Sequence, residues 1–148
     1  MNAVFYVLKH INEPVIANPA HFDLAVKLAA NCFRQGKKVF ILVDNKQDAH
    51  LIDEYLWQLE ADGFVPHNLQ GEGPAMGSPV EIGESAPVAN RKVIINLAQF
   101  VPDFIRRFSE VYDFVPADEK LKHVARERYK VMRQLGAHLS IEEIEIKY

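Results

Sequence analysis

Cysteine is almost absent from this chain, since Cys32 is the single one among 148 residues. One cysteine cannot form an internal disulfide, and this usage is typical of proteins in a reducing compartment. Within the helical stretch Ala20–Gln35, Cys32 shares a face with apolar residues. We therefore expect it to fill the core rather than to act as a reactive thiol.

Long apolar runs and an excess of positive charge are also missing. The sequence has neither an uninterrupted apolar segment of about 18 residues nor a charged and then apolar leader near Met1. We expect no membrane-spanning segment, no secretion and a cytoplasmic location. The net charge of −3 argues against a general affinity for DNA, because sequence-independent binding needs a positive surface. Any contact with nucleic acid is expected to be indirect or confined to one basic helix.

The signatures of nucleotide-binding, catalytic and metal sites are lacking as well. Gly36-Lys37-Lys38 contains the residue pair of a phosphate loop, but it follows a helix and leads into a strand, whereas a phosphate loop opens a helix. In the glycine-rich segment 71–77, Glu72 places a carboxylate where a pyrophosphate would bind. The six histidines show no metal-ligand spacing, and there is no nucleophile elbow. We predict no catalytic residue, no cofactor and no metal.

What the chain does contain is a series of short apolar runs that alternate with helical stretches. Strands are predicted at Ala3–Leu8, Lys38–Val43, Val80–Ile82, Lys92–Leu97 and Val111–Val115. Helices are predicted at Ala20–Gln35 after Asn18-Pro19, from Asp44 or Asn45 to about Leu59, at Val101–Phe108, and from Ala117-Asp118 to Leu135. A loop is predicted at Asp62–Pro79, and the tail Ile141–Tyr148 is either an edge strand or loosely attached. Residues 1–148 are thus predicted to form one α/β domain with three α/β/α layers and a mostly parallel sheet.

The segment Leu121–Leu135 is the most informative, because its residues sort onto two helical faces. An apolar face is predicted to point inward and contains Leu121, Val124, Ala125, Met132 and Leu135. A second face carries four cations and an aromatic residue, namely Lys122, Arg126, Lys130 and Arg133, with Tyr129 in the same arc. Few acids lie nearby, and Glu127 is expected to point away from the cations.

This cationic face has two interpretations. Like charges repel by roughly 0.2–0.5 kcal/mol per adjacent pair on an exposed helix, so the face would suit a guest that is acidic and partly apolar. The alternative is a solvated face that keeps the protein in solution. Arg128 is a separate case, because it falls on the inward face. We predict that it is a structural cation, paired with a buried acid or a backbone carbonyl.

A second surface surrounds Trp57. In the second predicted helix, Trp57 lies about 100° or more off the apolar stripe, and an aromatic residue displaced from the core face is enriched at protein interfaces. Phe64, Val65 and Pro66 follow in a loop that would have to expose some of them. In the alternative interpretation, Trp57 packs on Phe64 and closes a local core.

Four segments together resemble one protein family. They are FVPHNLQGEGP at Phe64–Pro74, PVEI at Pro79–Ile82, DFVP at Asp113–Pro116 and LKHVARERYK at Leu121–Lys130. Together they resemble the chi subunit of bacterial DNA polymerase III holoenzyme. The resemblance extends from the first strand to about Gly136 and does not include the segment Gly83–Asn90 or the tail.

The resemblance implies an accessory protein without chemistry of its own, with a fold similar to nucleotide-binding α/β domains but without a phosphate loop. It implies a heterodimer with the psi subunit, which links chi to the clamp loader, and binding of the C-terminal tail of single-stranded DNA-binding protein (SSB). That tail ends in acidic residues, an aromatic residue and a free carboxylate. The implied tail site is Lys122, Arg126, Tyr129, Lys130, Arg133 and Val115. The implied psi surface is Trp57, Phe64, Val65, Pro66, His67 and Leu69, which a helicase-like partner would share.

Two other functions stay open on the sequence. One is a small α/β enzyme with a degenerate nucleotide site. The other is a protein that binds single-stranded DNA directly through the basic helix, whereas the resemblance implies that DNA is reached only through SSB.

Overall fold

The computed structural model describes residues 1–10, 20–59 and 63–146. Seven strands are present in these ranges: β1 Asn2–His10, β2 Val39–Leu42, β3 His67–Leu69, β4 Val80–Gly83, β5 Val93–Asn96, β6 Glu110–Val115 and β7 His138–Ile146. The helices are α1 Ala20–Arg34, α2 Lys46–Trp57 and α3 Glu119–Gln134, with a short 3₁₀ turn at Ile105–Arg107. None of these helices combines the length and the apolar character needed to cross a bilayer.

The seven strands form one sheet in the order β3-β4-β2-β5-β6-β1-β7, and every neighbouring pair is parallel. Apolar residues of β2 alternate between its two faces: Val39 and Ile41 pack in the layer of α1 and α2. Phe40 packs on the opposite face, with Met132 of α3. A parallel sheet covered on both faces requires apolar strands without polar alternation. The predicted three-layer α/β/α architecture is confirmed.

The helices begin and end where local chemistry dictates. The side chain of Asn45 accepts a hydrogen bond from Asp48 N at 2.8 Å and caps α2, which settles the choice between Asp44 and Asn45. The Asp44 carboxylate instead accepts from Gln99 N. Asp118 caps α3 by accepting from Leu121 N at 3.0 Å. Gly136, with φ +81°, ends that helix and turns the chain toward β7.

β3 is a strand that the sequence did not predict. The predicted loop Asp62–Pro79 is wrong at His67–Leu69, where the chain pairs in parallel with β4. These three residues have no apolar alternation, so their strand conformation comes from pairing with a neighbour rather than from their own pattern. The Asn68 side chain reinforces the turn that follows, because its Oδ1 accepts from Ser78 N at 2.6 Å.

The predicted helix Val101–Phe108 is shorter and tighter than expected. Its hydrogen bonds join residues three apart, from Ile105 N to Pro102 O and from Arg107 N to Phe104 O, which is the 3₁₀ pattern. Ile105 and Phe108 are buried against the α3 side of the sheet. The apolar spacing that suggested a helix is satisfied by a single turn.

The C-terminal segment forms an edge strand rather than a loose tail. β7 pairs in parallel with β1 along nine residues, from the pair Asn2 and His138 to the pair His10 and Ile146. A salt bridge between Lys9 Nζ and Glu143 Oε1, at 2.9 Å, joins the two strands. The predicted start of α1 at Asn18-Pro19 and the last two residues of the chain lie outside the described residues.

Candidate functional site

A groove of about 470 Å³ lies between α3 and the strands beneath it. Its lining residues are Phe5, Val7, Val115, Lys122, Ala125, Arg126, Tyr129, Lys130, Arg133 and Ile141. All six residues that the sequence assigned to one site line this groove, although Val115 belongs to β6 and the others to α3. The structure therefore brings the predicted residues together around one concave surface; we call it the α3 groove.

The base of the α3 groove is apolar. Phe5 is fully buried and meets the Tyr129 ring edge-on, with ring centroids 5.1 Å apart. Ala125 is also buried, and Ile141 of β7 forms an outer wall with 57% of its surface exposed. Sequence reasoning missed Phe5, Val7 and Ile141 as site residues and placed Ala125 in the core. The first two were predicted to lie in a strand, and no local pattern tells which strand residue borders a groove.

The cations on the rim differ in how far they are neutralised. Lys130 Nζ lies 3.2 Å from Glu127 Oε1, so the prediction that Glu127 points away from the cations is wrong; a three-residue spacing brings the two side chains together. Lys122 Nζ lies 3.6 Å from Glu119 Oε1. Within the described ranges, Arg126 and Arg133 have no such partner and remain uncompensated.

Arg128 plays the structural part that the sequence predicted. Its Nη2 donates to Asp113 Oδ1 at 2.9 Å and to Phe114 O at 3.0 Å, and its Nη1 donates to Gln99 O at 3.2 Å. Burial raises the pKa of the Asp113 carboxyl, while the Arg128 guanidinium and the amide of Phe114 oppose that rise. Arg128 thus fastens α3 to β6 and the chain after β5, and it does not line the α3 groove.

A second cavity, of about 330 Å³, opens at the carboxyl ends of β5 and β6. Leu121 borders it and is 47% exposed, so the prediction that Leu121 lies in the core stripe is wrong. It belongs to the first turn of α3. Burial, and then the nearby Arg128 charge, lower the pKa of His21 in this cavity to about 4. The buried Asn96 amide is satisfied locally, since it accepts from Ala98 N and donates to Phe100 O.

The implied psi surface, which we call the Trp57 surface, consists of Trp57, Phe64, Val65, Pro66, His67 and Leu69. It lies where α2 ends and β3 begins. The Trp57 and Phe64 rings are 5.8 Å apart, yet 49% of Trp57 and 64% of Phe64 stay exposed. Both interpretations of the sequence are therefore partly right, because the rings pack on each other and still present an apolar face. Pro66 and Leu69, assigned to the same surface, are half-buried.

Two residues assigned to the Trp57 surface are buried. Val65 is 3% exposed, and the His67 side chain is almost fully covered. His67 Nδ1 bonds to Val65 O at 2.8 Å, and its Nε2 lies 3.0 Å from Asp53 Oδ1. Neither side chain is available to a partner: the His67 ring packs edge-on against Trp57, with centroids 4.8 Å apart, and Val65 belongs to the core. A single sequence does not separate such support residues from contact residues.

Within the described residues, no group of three or more His, Cys, Asp or Glu side chains could hold a metal ion. The lysine of the false phosphate loop has a structural partner, because Lys37 Nζ lies 3.0 Å from Glu110 Oε1.

Comparison with known proteins gives consistent matches. The family model described as DNA polymerase III chi subunit, HolC, matches residues 1–140. The chain is 42% identical over 141 residues to the chi subunit of Escherichia coli, covering 94% of this chain and 95% of that protein. It is 44% identical over 124 residues to the chi subunit of Haemophilus influenzae, covering 82% and 86%. The Pseudomonas aeruginosa chi subunit is 29% identical over 133 residues, with 89% of each chain covered.

Among solved structures, the crystal structure of T4 UvsW matches with a TM-score of 0.64 and 9% identity, covering 97% of this chain. The chain spans 41% of the length of that structure. At this identity the likeness shows a shared α/β fold and nothing further.

Proposed function

The chain belongs to the DNA polymerase III chi subunit family, and from this premise we propose that it is a non-catalytic bridging subunit. On one side it would bind the psi subunit and, through psi, the clamp loader. On the other side it would bind the acidic C-terminal tail of SSB and reach single-stranded DNA through it. A subunit with this role works in the cytoplasm, where the chromosome is replicated.

The composition of the α3 groove is the observation that carries this proposal. The tail offers a terminal carboxylate, an aromatic ring and acidic side chains, and the groove offers a counterpart for each. Arg126 and Arg133 are uncompensated guanidinium groups, which bind a carboxylate through two parallel hydrogen bonds. Val115, Tyr129 and Ile141 supply accessible apolar contact for the ring, and the buried Phe5 supports Tyr129 from below.

The lysines of the groove would act differently from the arginines. Lys122 and Lys130 already have exposed acids three residues away, and such pairs contribute only about 0–1 kcal/mol each. They would exchange these partners for the acidic side chains of the tail at little net cost. This arrangement makes the lysines contributors to long-range attraction and the arginines the main anchors.

The exposed part of the Trp57 surface is the proposed site for psi. Its accessible residues are Trp57, Phe64, Pro66 and Leu69, with Val65 and His67 as support. It adjoins β3, whereas the α3 groove is bordered by β1, which lies five strands away in the sheet. Five strand spacings correspond to roughly 24 Å, so two partners could occupy these surfaces at once. That separation supports a bridging role.

Titration with a fluorescent peptide of the SSB C-terminus tests the proposal. We expect saturable binding that weakens as salt rises, because exposed charges are screened over about 10 Å at 0.1 M salt. The same peptide with an amidated C-terminus should bind roughly 5- to 150-fold more weakly, the equivalent of about 1–3 kcal/mol for a lost charge-assisted contact. Equal binding of the free and amidated peptides would reject capture of the tail end. Co-purification with psi tests the proposed association with that subunit.

A further inference from the structure

A row of cations that is not contiguous in sequence lies along the amino ends of the strands. Lys38 precedes β2, Lys92 precedes β5, and Arg106 and Arg107 precede β6. Backbone hydrogen bonds join these strand starts directly: Val93 N donates to Lys38 O at 3.2 Å, and Ser109 N donates to Lys92 O at 3.1 Å. We call Lys38, Lys92, Arg106 and Arg107 the amino-edge row.

The four residues are exposed, and no carboxylate among the described residues forms an ion pair with any of them. Arg106 Nη2 donates to Leu135 O at 3.4 Å, and Arg107 Nη2 donates to Asn90 Oδ1 at 3.2 Å, so both guanidinium groups are held in place by uncharged partners. Within the described part of the chain, neither lysine of the row pairs with a carboxylate.

Charge is strongly segregated in this molecule. Together with Lys37, the amino-edge row contributes five positive charges, against the acids Glu110 and Asp103. These seven residues sum to +3, so the other residues of a chain with net charge −3 sum to −6. The negative net charge of the chain therefore does not exclude nucleic-acid binding at this row, because binding of a polyanion requires only a patch with an excess of positive charge.

The shape of the region also fits an extended polyanion. A cavity of about 430 Å³ lies beside Arg106, Arg107 and Ser109. Arg106 contacts the residue that ends α3, so the row continues toward Arg133 at the end of the α3 groove. Neighbouring strands in a sheet are about 4.8 Å apart, so the strand starts place the row at intervals that a chain of phosphates can follow.

From these observations we infer that the amino-edge row is a second binding site, which contacts the phosphate backbone of single-stranded nucleic acid directly and without sequence preference. A phosphate chain suits the row better than an acidic peptide does. Peptide recognition uses apolar anchors, and the wall of this cavity is mainly polar, whereas that of the α3 groove is mainly apolar. The row also has no aromatic member for base stacking, so binding would be weak and governed by salt.

Fluorescence anisotropy with an end-labelled oligothymidylate of about 16 nucleotides tests this inference on the full chain alone, without SSB or its tail. If all four cations contact phosphates, the slope of log affinity against log salt should be about −2.8, so affinity falls roughly 50-fold between 50 and 200 mM salt. The double reversal Lys38→Glu and Lys92→Glu should weaken binding roughly tenfold or more at low salt and leave a slope near −1.4. Neither side chain has a partner in the described structure, so the fold should persist, as a melting curve would verify.

The matched control is the double reversal Lys46→Glu and Lys120→Glu, which changes the net charge equally. Both lysines are exposed in the first turns of α2 and α3, at the carboxyl end of the sheet. An acidic side chain in the first turn of a helix is stabilising, so these substitutions should not disrupt the fold. The control should bind the oligonucleotide within twofold of the parent once general charge effects are screened. Arg126→Ala should bind it normally as well.

Four results would overturn the inference. They are no oligonucleotide binding at about 50 mM salt, an unaffected Lys38 and Lys92 variant, an equal loss in the control, or a loss in Arg126→Ala instead. A polyglutamate peptide that binds the row when the oligonucleotide does not would identify an acidic protein segment as the partner and would equally reject nucleic acid. Because no tail peptide is present, failure here leaves the proposed bridging function standing.

Discussion

Arg128 and Asp113 are joined by a forked ion pair that fastens α3 to β6. Nη2 of the guanidinium lies 2.9 Å from Asp113 Oδ1, and Nε lies 3.0 Å from Oδ2. The neighbouring Arg126, two residues earlier on the same helix, is exposed and has no such partner in the described structure. Two arginines that look alike in the sequence thus have opposite roles, and mutation should separate them.

Arg128→Ala should destabilise the fold by about 3–5 kcal/mol, because it leaves the buried Asp113 carboxylate without its charge partner. Urea denaturation followed by circular dichroism measures this loss. The double variant Arg128→Met with Asp113→Leu should recover part of the stability, since it removes both charges. A variant of Arg128 that keeps normal stability would show that the ion pair does not anchor α3.

Arg126→Ala should weaken binding of the SSB tail peptide by about 1–3 kcal/mol, because a charge-assisted contact is lost. Stability should change by less than about 0.5 kcal/mol, as expected for an exposed side chain. The matched control is Lys46→Ala, which removes the same charge from α2, away from the groove. Unchanged peptide binding in Arg126→Ala, or an equal decrease in both variants, would contradict the assignment.

Ile141→Ser tests whether β7 contributes to the same site. Ile141 walls the α3 groove and is largely exposed, so its replacement should lower tail affinity by about 1–2 kcal/mol with little effect on stability. Val131→Ser is the control, since Val131 is an exposed apolar residue of α3 that does not line the groove. If both variants bind the peptide alike, the apolar wall does not contact the guest.

Trp57→Ala should abolish or strongly weaken association with psi, by about 2 kcal/mol or more, as is typical of a central aromatic anchor. Tail binding should be unchanged, because the two surfaces lie at opposite parts of the sheet. Isothermal titration with each partner measures both effects, and Val88→Ala serves as an exposed apolar control. Loss of both affinities in Trp57→Ala would mean that the surfaces are coupled.

Periodicity and capping chemistry predicted most of the fold and the core of the site. Apolar runs identified β1, β2, β4, β5 and β6, and the faces of the last helix identified the cations around Tyr129. The features that the sequence did not predict depend on contacts between segments that are distant in the chain. β3 has no pattern of its own, Ile141 reaches the groove only because β7 pairs with β1, and Val65 is buried because the chain before β3 packs it into the core.

The amino-edge row illustrates the same limit for charge. Lys38 and Arg106 are 68 positions apart in the sequence, and only the strand order brings their starting points close together. The net charge of −3 argued against nucleic acid because composition averages over surfaces that the fold keeps apart.

His21 should make the stability of the protein depend on pH below neutrality. Its ring contacts Phe22, with centroids 4.8 Å apart, and burial followed by the Arg128 charge lowers its pKa from about 6.5 to about 4. Between pH 6.5 and 4 the unfolded chain binds a proton at His21 that the folded chain does not. The contribution of neutral His21 to the unfolding free energy is therefore present above pH 6.5 and is lost as the pH falls toward 4. Between neutral pH and pH 5 the loss should be on the order of 2 kcal/mol.

His21→Phe keeps an aromatic ring and cannot be protonated, so the difference in unfolding free energy between the two proteins should grow as the pH is lowered. Parallel stability curves for parent and variant across this range would show that His21 is not held neutral by its surroundings.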